Sequence, residues 1–218
     1  MAKVIIIAGG TGTGKTRSIK GLDPETTAVI NVLNKPLSFR EAKEYKNVFH
    51  KDKWDAIVKL IRGVPDKITN LILDDIGYVM TGELFERASE TGFNKFTEIG
   101  KHMQQILYEA INMRPDLNIF FMFHTDDEYS DKVKVGKKLK TIGQLLEDKY
   151  DPLGVVTISL FTEVSWDKEG SPVYNFITNR VNINGIVIPA KSPEGMFETI
   201  RIPNDLSIVV NAISEYYK

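Results

Sequence analysis

Gly9, Gly14, Lys15 and Thr16 meet the spacing G-x-x-x-x-G-K-[ST] directly behind an apolar run at residues 4–8. Each residue type in that pattern has a task. The glycines let the backbone curl so that successive N–H groups point inward, making a nest for anionic oxygens. A helix starting there adds the positive end of its dipole. Lys15 is expected to reach β- and γ-phosphate oxygens, and the Thr16 hydroxyl to ligate Mg²⁺. Gly10, Thr11, Gly12 and Thr13 fill the loop, and Arg17 follows it. Residues 9–17 are thus the expected phosphate cradle of a nucleotide site.

A phosphate nest needs an acid at the end of a buried strand to hold the Mg²⁺ hydration shell. Leu71-Ile72-Leu73-Asp74-Asp75 supplies one: a short apolar run that ends in two carboxylates. Asp74 is the expected metal-shell ligand. Asp75 has two readings, a base that polarises the attacking water or a cap on the turn at Ile76-Gly77. His124 and Thr125 close another apolar run, residues 117–123. There His124 either senses the γ-phosphate or holds a loop carbonyl. His50 and His102 stand apart and receive no chemistry. Asn34-Lys35-Pro36-Leu37 begins like the guanine-reading N-K-x-D motif but has Leu37 at its fourth position, so the expected nucleotide is ATP.

Five lysines fall in ten positions from 131 to 140, in a stretch that reads as a loop. Three uses compete: a solvated charged surface, contact with a nucleic-acid backbone, and delivery of Lys138 or Lys140 to a neighbouring subunit's γ-phosphate. A cation supplied in trans accelerates phosphoryl transfer by about 10³–10⁵.

Composition sets bounds on the rest. The 218 residues suit one large domain, with a nucleotide-binding core over residues 1–150 and a β extension with a terminal helix over 151–218. The net charge is −1 and the isoelectric point near 6.3, which excludes an overall basic coat. There is no cysteine, which excludes disulfides, thiolate metal sites and cysteine nucleophiles. No apolar run is long enough for a membrane span, so a cytoplasmic location is expected.

The elements that must position these residues follow from periodicity. Strands are expected at residues 3–8, 28–33, 71–75 and 117–123. Helices are expected at 15–20, 52–62 and 93–111, the last two from apolar residues at helical spacing. Residues 154–166 and 173–179 read as a hairpin around Asp167-Lys168-Glu169-Gly170, and a further turn lies at Asn182-Ile183-Asn184-Gly185. Pro203-Asn204-Asp205 caps a last helix over 206–217. The expected fold is α/β: a mostly parallel, doubly wound P-loop sheet with a C-terminal antiparallel hairpin extension and a terminal helix.

With these elements placed, the chain resembles the RecA-like P-loop ATPases of tailed bacteriophages, a group that includes the Sak-type single-strand annealing proteins. The resemblance rests on residues 9–16 and 71–75, on Phe123-His124-Thr125, and on Lys138-Leu139-Lys140-Thr141-Ile142-Gly143. Ala190-Lys191-Ser192-Pro193-Glu194-Gly195-Met196-Phe197 and Ile202-Pro203-Asn204-Asp205-Leu206 extend it toward the C-terminus. It implies ATP hydrolysis with Mg²⁺, coupled to single-stranded DNA in recombination or replication, in the cytoplasm of a bacterial host. The implied partners are further copies in a ring or filament, and a single-strand DNA-binding protein. It also implies that the 117–123 strand lies between those of residues 3–8 and 71–75. One departure stands out. RecA-like proteins usually carry a catalytic glutamate just after strand two, where this chain reads Val32-Leu33-Asn34-Lys35-Pro36. Three other classes fit the same core: a small-molecule or nucleotide kinase, a DNA-packaging or helicase-loading subunit, and a non-hydrolysing switch. Scattered arginines in place of an arginine-bearing lid argue against the kinase.

Overall fold

The computed structural model describes residues 1–143, 146 and 150–218. The first strand, β1 (Lys3–Ala8), enters the glycine-rich loop and then a 3-10 turn, Thr16–Gly21. After these come β2 (Thr27–Asn31), β3 (Val48–His50), helix α1 (Trp54–Arg62), β4 (Asn70–Asp74), α2 (Gly77–Glu86), α3 (Asn94–Ile111) and β5 (Asn118–Phe123). The chain continues through β6 (Thr125–Ser130), β7 (Val133–Leu139), α4 (Pro152–Val155), β8 (Ile158–Trp166) and β9 (Pro172–Ile177). It ends with β10 (Val181–Ile183), β11 (Ile186–Ile188), β12 (Arg201–Pro203) and α5 (Leu206–Tyr216).

Among the described residues the strands form two sheets. The larger has the order β12-β9-β8-β1-β5-β4-β2-β3. From β8 to β3 its pairs are parallel; β9 and β12 add on antiparallel at the other edge. β5 does lie between β1 and β4. Residues beyond 150 complete this sheet, because β8 pairs directly with β1.

Both faces of the sheet are covered, as apolar parallel strands require. Alternate residues of β1 divide between them. Val4, Ile6 and Ala8 pack with Ile61, Val79 and Met103 from α1, α2 and α3. Ile5 and Ile7 pack on the other face with Ile19 of the 3-10 turn and with Leu206, Val209 and Ile213 of α5. Asp205 caps α5, its carboxylate accepting from the Ser207 N–H at 2.9 Å.

The structure differs from the sequence-based expectation at several places, among them the short strands β3 and β12, which were not expected. The segment after Lys15 is a short 3-10 turn rather than an α-helix. The lysine-rich stretch is not a loop: it forms β7, paired antiparallel with β6 in a second sheet of order β10-β11-β7-β6. Its alternating Lys-Val pattern is a strand pattern, and a two-residue turn at Asp131 and Lys132, both left-handed, closes the hairpin. Helix α2 lies where no element was expected. Five of its ten residues are apolar but they do not fall on one helical stripe; Val79 and Met80 are buried, while Tyr78 and Phe85 are exposed.

Candidate phosphate-binding site

The carboxyl ends of β1, β5, β4 and β2 lie side by side, since Ala8 is in register with Phe123 and Asn31 with Asp74. Strand ends of an open parallel sheet are where ligands bind. Each of the four strands delivers a polar group there.

From β1 comes the glycine-rich loop. Gly9 donates its N–H to the Phe123 carbonyl at 3.1 Å, which ties the loop to β5. A Cβ at Gly9 would stand 1.7 Å from Thr162 Oγ1, so only glycine fits against β8. Thr162 also donates its hydroxyl to Thr13 Oγ1 at 2.6 Å, and Thr13 donates to the Gly10 carbonyl at 2.8 Å. Gly14 has φ +96°, which only glycine adopts without strain, and it sits against Asn204 and Tyr174. The Lys15 ammonium, buried, is turned onto the loop's own carbonyls: 2.9 Å to Gly9 and 2.8 Å to Gly10. Burial lowers its pKa, partly offset by Asp75 and Asp74. The Arg17 guanidinium lies 4.9 Å from the Tyr174 ring centre.

From β4 come the two carboxylates, both buried. The Thr16 hydroxyl lies 3.0 and 3.1 Å from the two oxygens of Asp74. Burial, then the Asp75 charge, raises the Asp74 pKa to about 6. In a continuing strand Asp75 would point to the opposite face from Asp74. Its left-handed φ of 58° ends that alternation, and both carboxylates serve one edge. Backbone strain of this kind in a non-glycine residue clusters at functional sites.

From β5 comes His124, the single residue between β5 and β6. Its Nε2 is 3.0 Å from Asp75 Oδ1, and the Tyr78 ring meets it edge-on at 5.6 Å. From the turn after β2 comes Lys35, whose ammonium is 2.5 Å from Asp75 Oδ2. Burial alone would raise the Asp75 pKa, but the bonds to His124 and Lys35 outweigh it and hold the carboxyl down at about 2.

The structure brings residues 9–17, Asp74, Asp75 and His124 into one site. Lys138 and Lys140 lie on or next to β7, across the hairpin from acidic residues of β6. Asp126 is in register with Lys138 and 4.0 Å from the Lys140 ammonium, while Asp127 holds both Lys134 and Lys137. The hairpin is tied to the site at its base, where Lys140 donates its backbone N–H to the His124 carbonyl at 2.8 Å. His102 stacks on Trp54 and bonds Glu83 at 2.9 Å, a structural role away from the site. Lys35 is a site residue that the sequence motifs do not mark, since it falls in a broken guanine motif. The available signal was its place after the strand that would pair with the one ending in Asp74-Asp75.

The residues fit a nucleotide with Mg²⁺. The glycine loop, where Gly9 and Gly14 admit no larger residue, carries Lys15 against its own carbonyls, and the Thr16 hydroxyl and Asp74 carboxylate form an oxygen donor pair of the kind Mg²⁺ takes. No helix among the described residues is long and apolar enough to cross a membrane.

No known family model matches the chain, and no curated protein matches it. Among solved structures it is similar to the Legionella pneumophila ATPase DotB, at 11% identity and a TM-score of 0.40, over 81% of this chain and 45% of that one. The chain thus spans less than half the length of that protein.

Proposed function

We propose that this protein is a Mg²⁺-dependent ATPase of RecA-like type. The observation that carries the reading is the convergence of the glycine nest, Lys15, the Thr16–Asp74 pair and the Asp75–His124 pair on one sheet edge. Lys15 binds phosphate oxygens by leaving the Gly9 and Gly10 carbonyls. Thr16 and Asp74 would hold Mg²⁺, which when bound offsets negative charge on the β- and γ-phosphates.

Asp75 has both oxygens engaged, Oδ1 with His124 and Oδ2 with Lys35, which makes it a poor proton acceptor. The base role therefore passes to His124. With Nε2–H donated to Asp75, the lone pair sits on Nδ1. Asp75 fixes the tautomer and offsets the charge the ring gains, as a carboxylate does behind a catalytic histidine. The water oxygen bonds to the γ-phosphorus, and the bond to the β–γ bridging oxygen breaks with its electron pair left on ADP. The water proton passes through His124 to the products, which are ADP and inorganic phosphate.

The substrate for coupling is proposed to be single-stranded DNA, handled by a ring or filament of copies in phage recombination or replication. Support comes from the sequence resemblance and from the lysine hairpin, whose two ends meet at His124. Lys138 and Lys140 then act either on DNA or on a neighbour's nucleotide. The test is steady-state ATP hydrolysis with and without single-stranded DNA, in the wild type and in Lys15→Ala. The expected result is DNA-stimulated turnover that Lys15→Ala abolishes while its fold persists. Equal turnover in both proteins overturns the ATPase assignment; turnover that ignores DNA overturns the coupling.

A further inference from the structure

Lys35 enters the chemistry above only as a partner of Asp75. Its backbone is nevertheless held firmly. The Asn31 side chain donates to the Lys35 carbonyl at 2.5 Å and accepts the Lys35 N–H at 3.3 Å. Asn34, at φ 52°, turns the chain between them in the left-handed region that asparagine tolerates. This clamp fixes the start of the lysine arm beside the end of β4, because Asn31 is in register with Asp74.

The arm beyond the clamp is not packed in the core. Its side chain is 56% exposed, and its ammonium rests on a carboxylate that is 5% exposed. That placement puts the cation among the phosphate-site groups. Its charge acts on Asp74, and it opposes that of Lys15. Two cations, Lys15 and Lys35, thus face two carboxylates, and Asp75 and Asp74 favour the charged form of Lys35, so a full complement of positive charge stands ready where added phosphate oxygens would enter.

We propose that Lys35 is a phosphate-facing cation supplied in cis: its ammonium moves from Asp75 Oδ2 to a γ-phosphate oxygen and stabilises the transition state of hydrolysis. Charge in that transition state spreads over the equatorial oxygens of the transferred phosphoryl group, so an ammonium beside Asp75 on a half-exposed arm is used most at that moment. Asp75 keeps its bond to His124 throughout, and the bond changes are those of hydrolysis already given. The inference rests on the ATPase reading.

The test uses Lys35→Ala, Lys35→Gln and Lys35→Arg in the full chain. Lys35→Gln retains a hydrogen-bond donor toward Asp75 but not the charge, so it keeps the test open if Lys35→Ala folds poorly. Three quantities are read: affinity for ADP, affinity for ADP with aluminium fluoride as a transition-state mimic, and the single-turnover hydrolysis rate. The Ala and Gln variants are expected to bind ADP within about threefold of wild type, while mimic affinity and rate fall by about 10²-fold, as for loss of one preorganised donor. Lys35→Arg is expected to recover part of the rate. Unchanged rate and mimic affinity in Lys35→Gln overturn the proposal, as does an equal fall in ADP and mimic affinity, which marks a structural role. If the wild type binds ADP no better than Lys15→Ala does, the ATPase reading has failed, and this outcome is separable because it appears without any change at Lys35.

Discussion

The His124 ring and the Asp75 carboxylate are joined across two neighbouring strand ends, Nε2 to Oδ1 at 3.0 Å. The bond crosses from β5 to β4, and it spans the break in alternation that the left-handed Asp75 creates. It makes two residues that stand 49 positions apart a single unit.

Asp75→Asn is expected to slow hydrolysis by about 10²–10⁴-fold, the range for loss of a working acid–base group. His124→Ala should match it, and the double variant should be no slower than either single, because members of one unit are not additive. Single-turnover rates check this. A double variant whose losses multiply would show that the two act separately.

Thr16→Ala and Asp74→Ala are expected to remove the benefit of Mg²⁺. In the wild type, ATP affinity should fall sharply when the metal is chelated. In these variants affinity with and without Mg²⁺ should coincide within about threefold, since the oxygen donors are gone. Titration with a fluorescent ATP analogue reads both states. A full Mg²⁺ effect in Asp74→Ala would place the metal ligand elsewhere.

Gly9→Ala forces a Cβ to within 1.7 Å of Thr162 Oγ1. Overpacking of this kind costs about 1–3 kcal/mol. Thr162→Ala alone should cost about 1 kcal/mol through the lost bond to Thr13. The pair together should be more stable than Gly9→Ala alone, because the colliding hydroxyl is removed. Denaturant melts of the four proteins form the cycle.

Tyr45 packs its hydroxyl 2.7 Å from the carbonyls of Ile19 and Leu22, beneath the turn that carries Thr16. Tyr45→Phe should lose about 1–2 kcal/mol. Burial, reinforced by Asp205 and Asp23, pushes the phenol up to about 12. An unfolded tyrosine ionises near 10 (about). The folded value is the higher, so this stabilisation is complete below the unfolded value and is lost as pH rises through the folded one. The wild type should therefore lose its advantage over Tyr45→Phe along the alkaline limb, read as the difference between their melts.

The glycine loop, Asp74 and the parallel core were legible because their signals are local. A fixed spacing names the loop, and unbroken apolar runs name strands buried on both faces. The second sheet was not legible, because five lysines in residues 131–140 outweigh a weak alternation when charge is read before period. Lys35 escaped for a different reason. Nothing adjacent in sequence marks it, and its meaning comes from Asp75, a residue that β2–β4 pairing brings near. The partner contacts of Gly9 and Gly14 likewise come from Thr162, Tyr174 and Asn204, far along the chain.

β1 takes its two neighbours from β5 and β8, both made long after it. A ribosome therefore releases the nucleotide loop early and its walls late. Until β8 has emerged, Gly9 and Thr13 have no Thr162 to close on. Contacts this distant in sequence close slowly, so the cradle around the glycine loop is among the last parts of the chain to mature during synthesis, and a truncated product leaves the ribosome with its glycine-lysine sequence intact and the walls around it unbuilt.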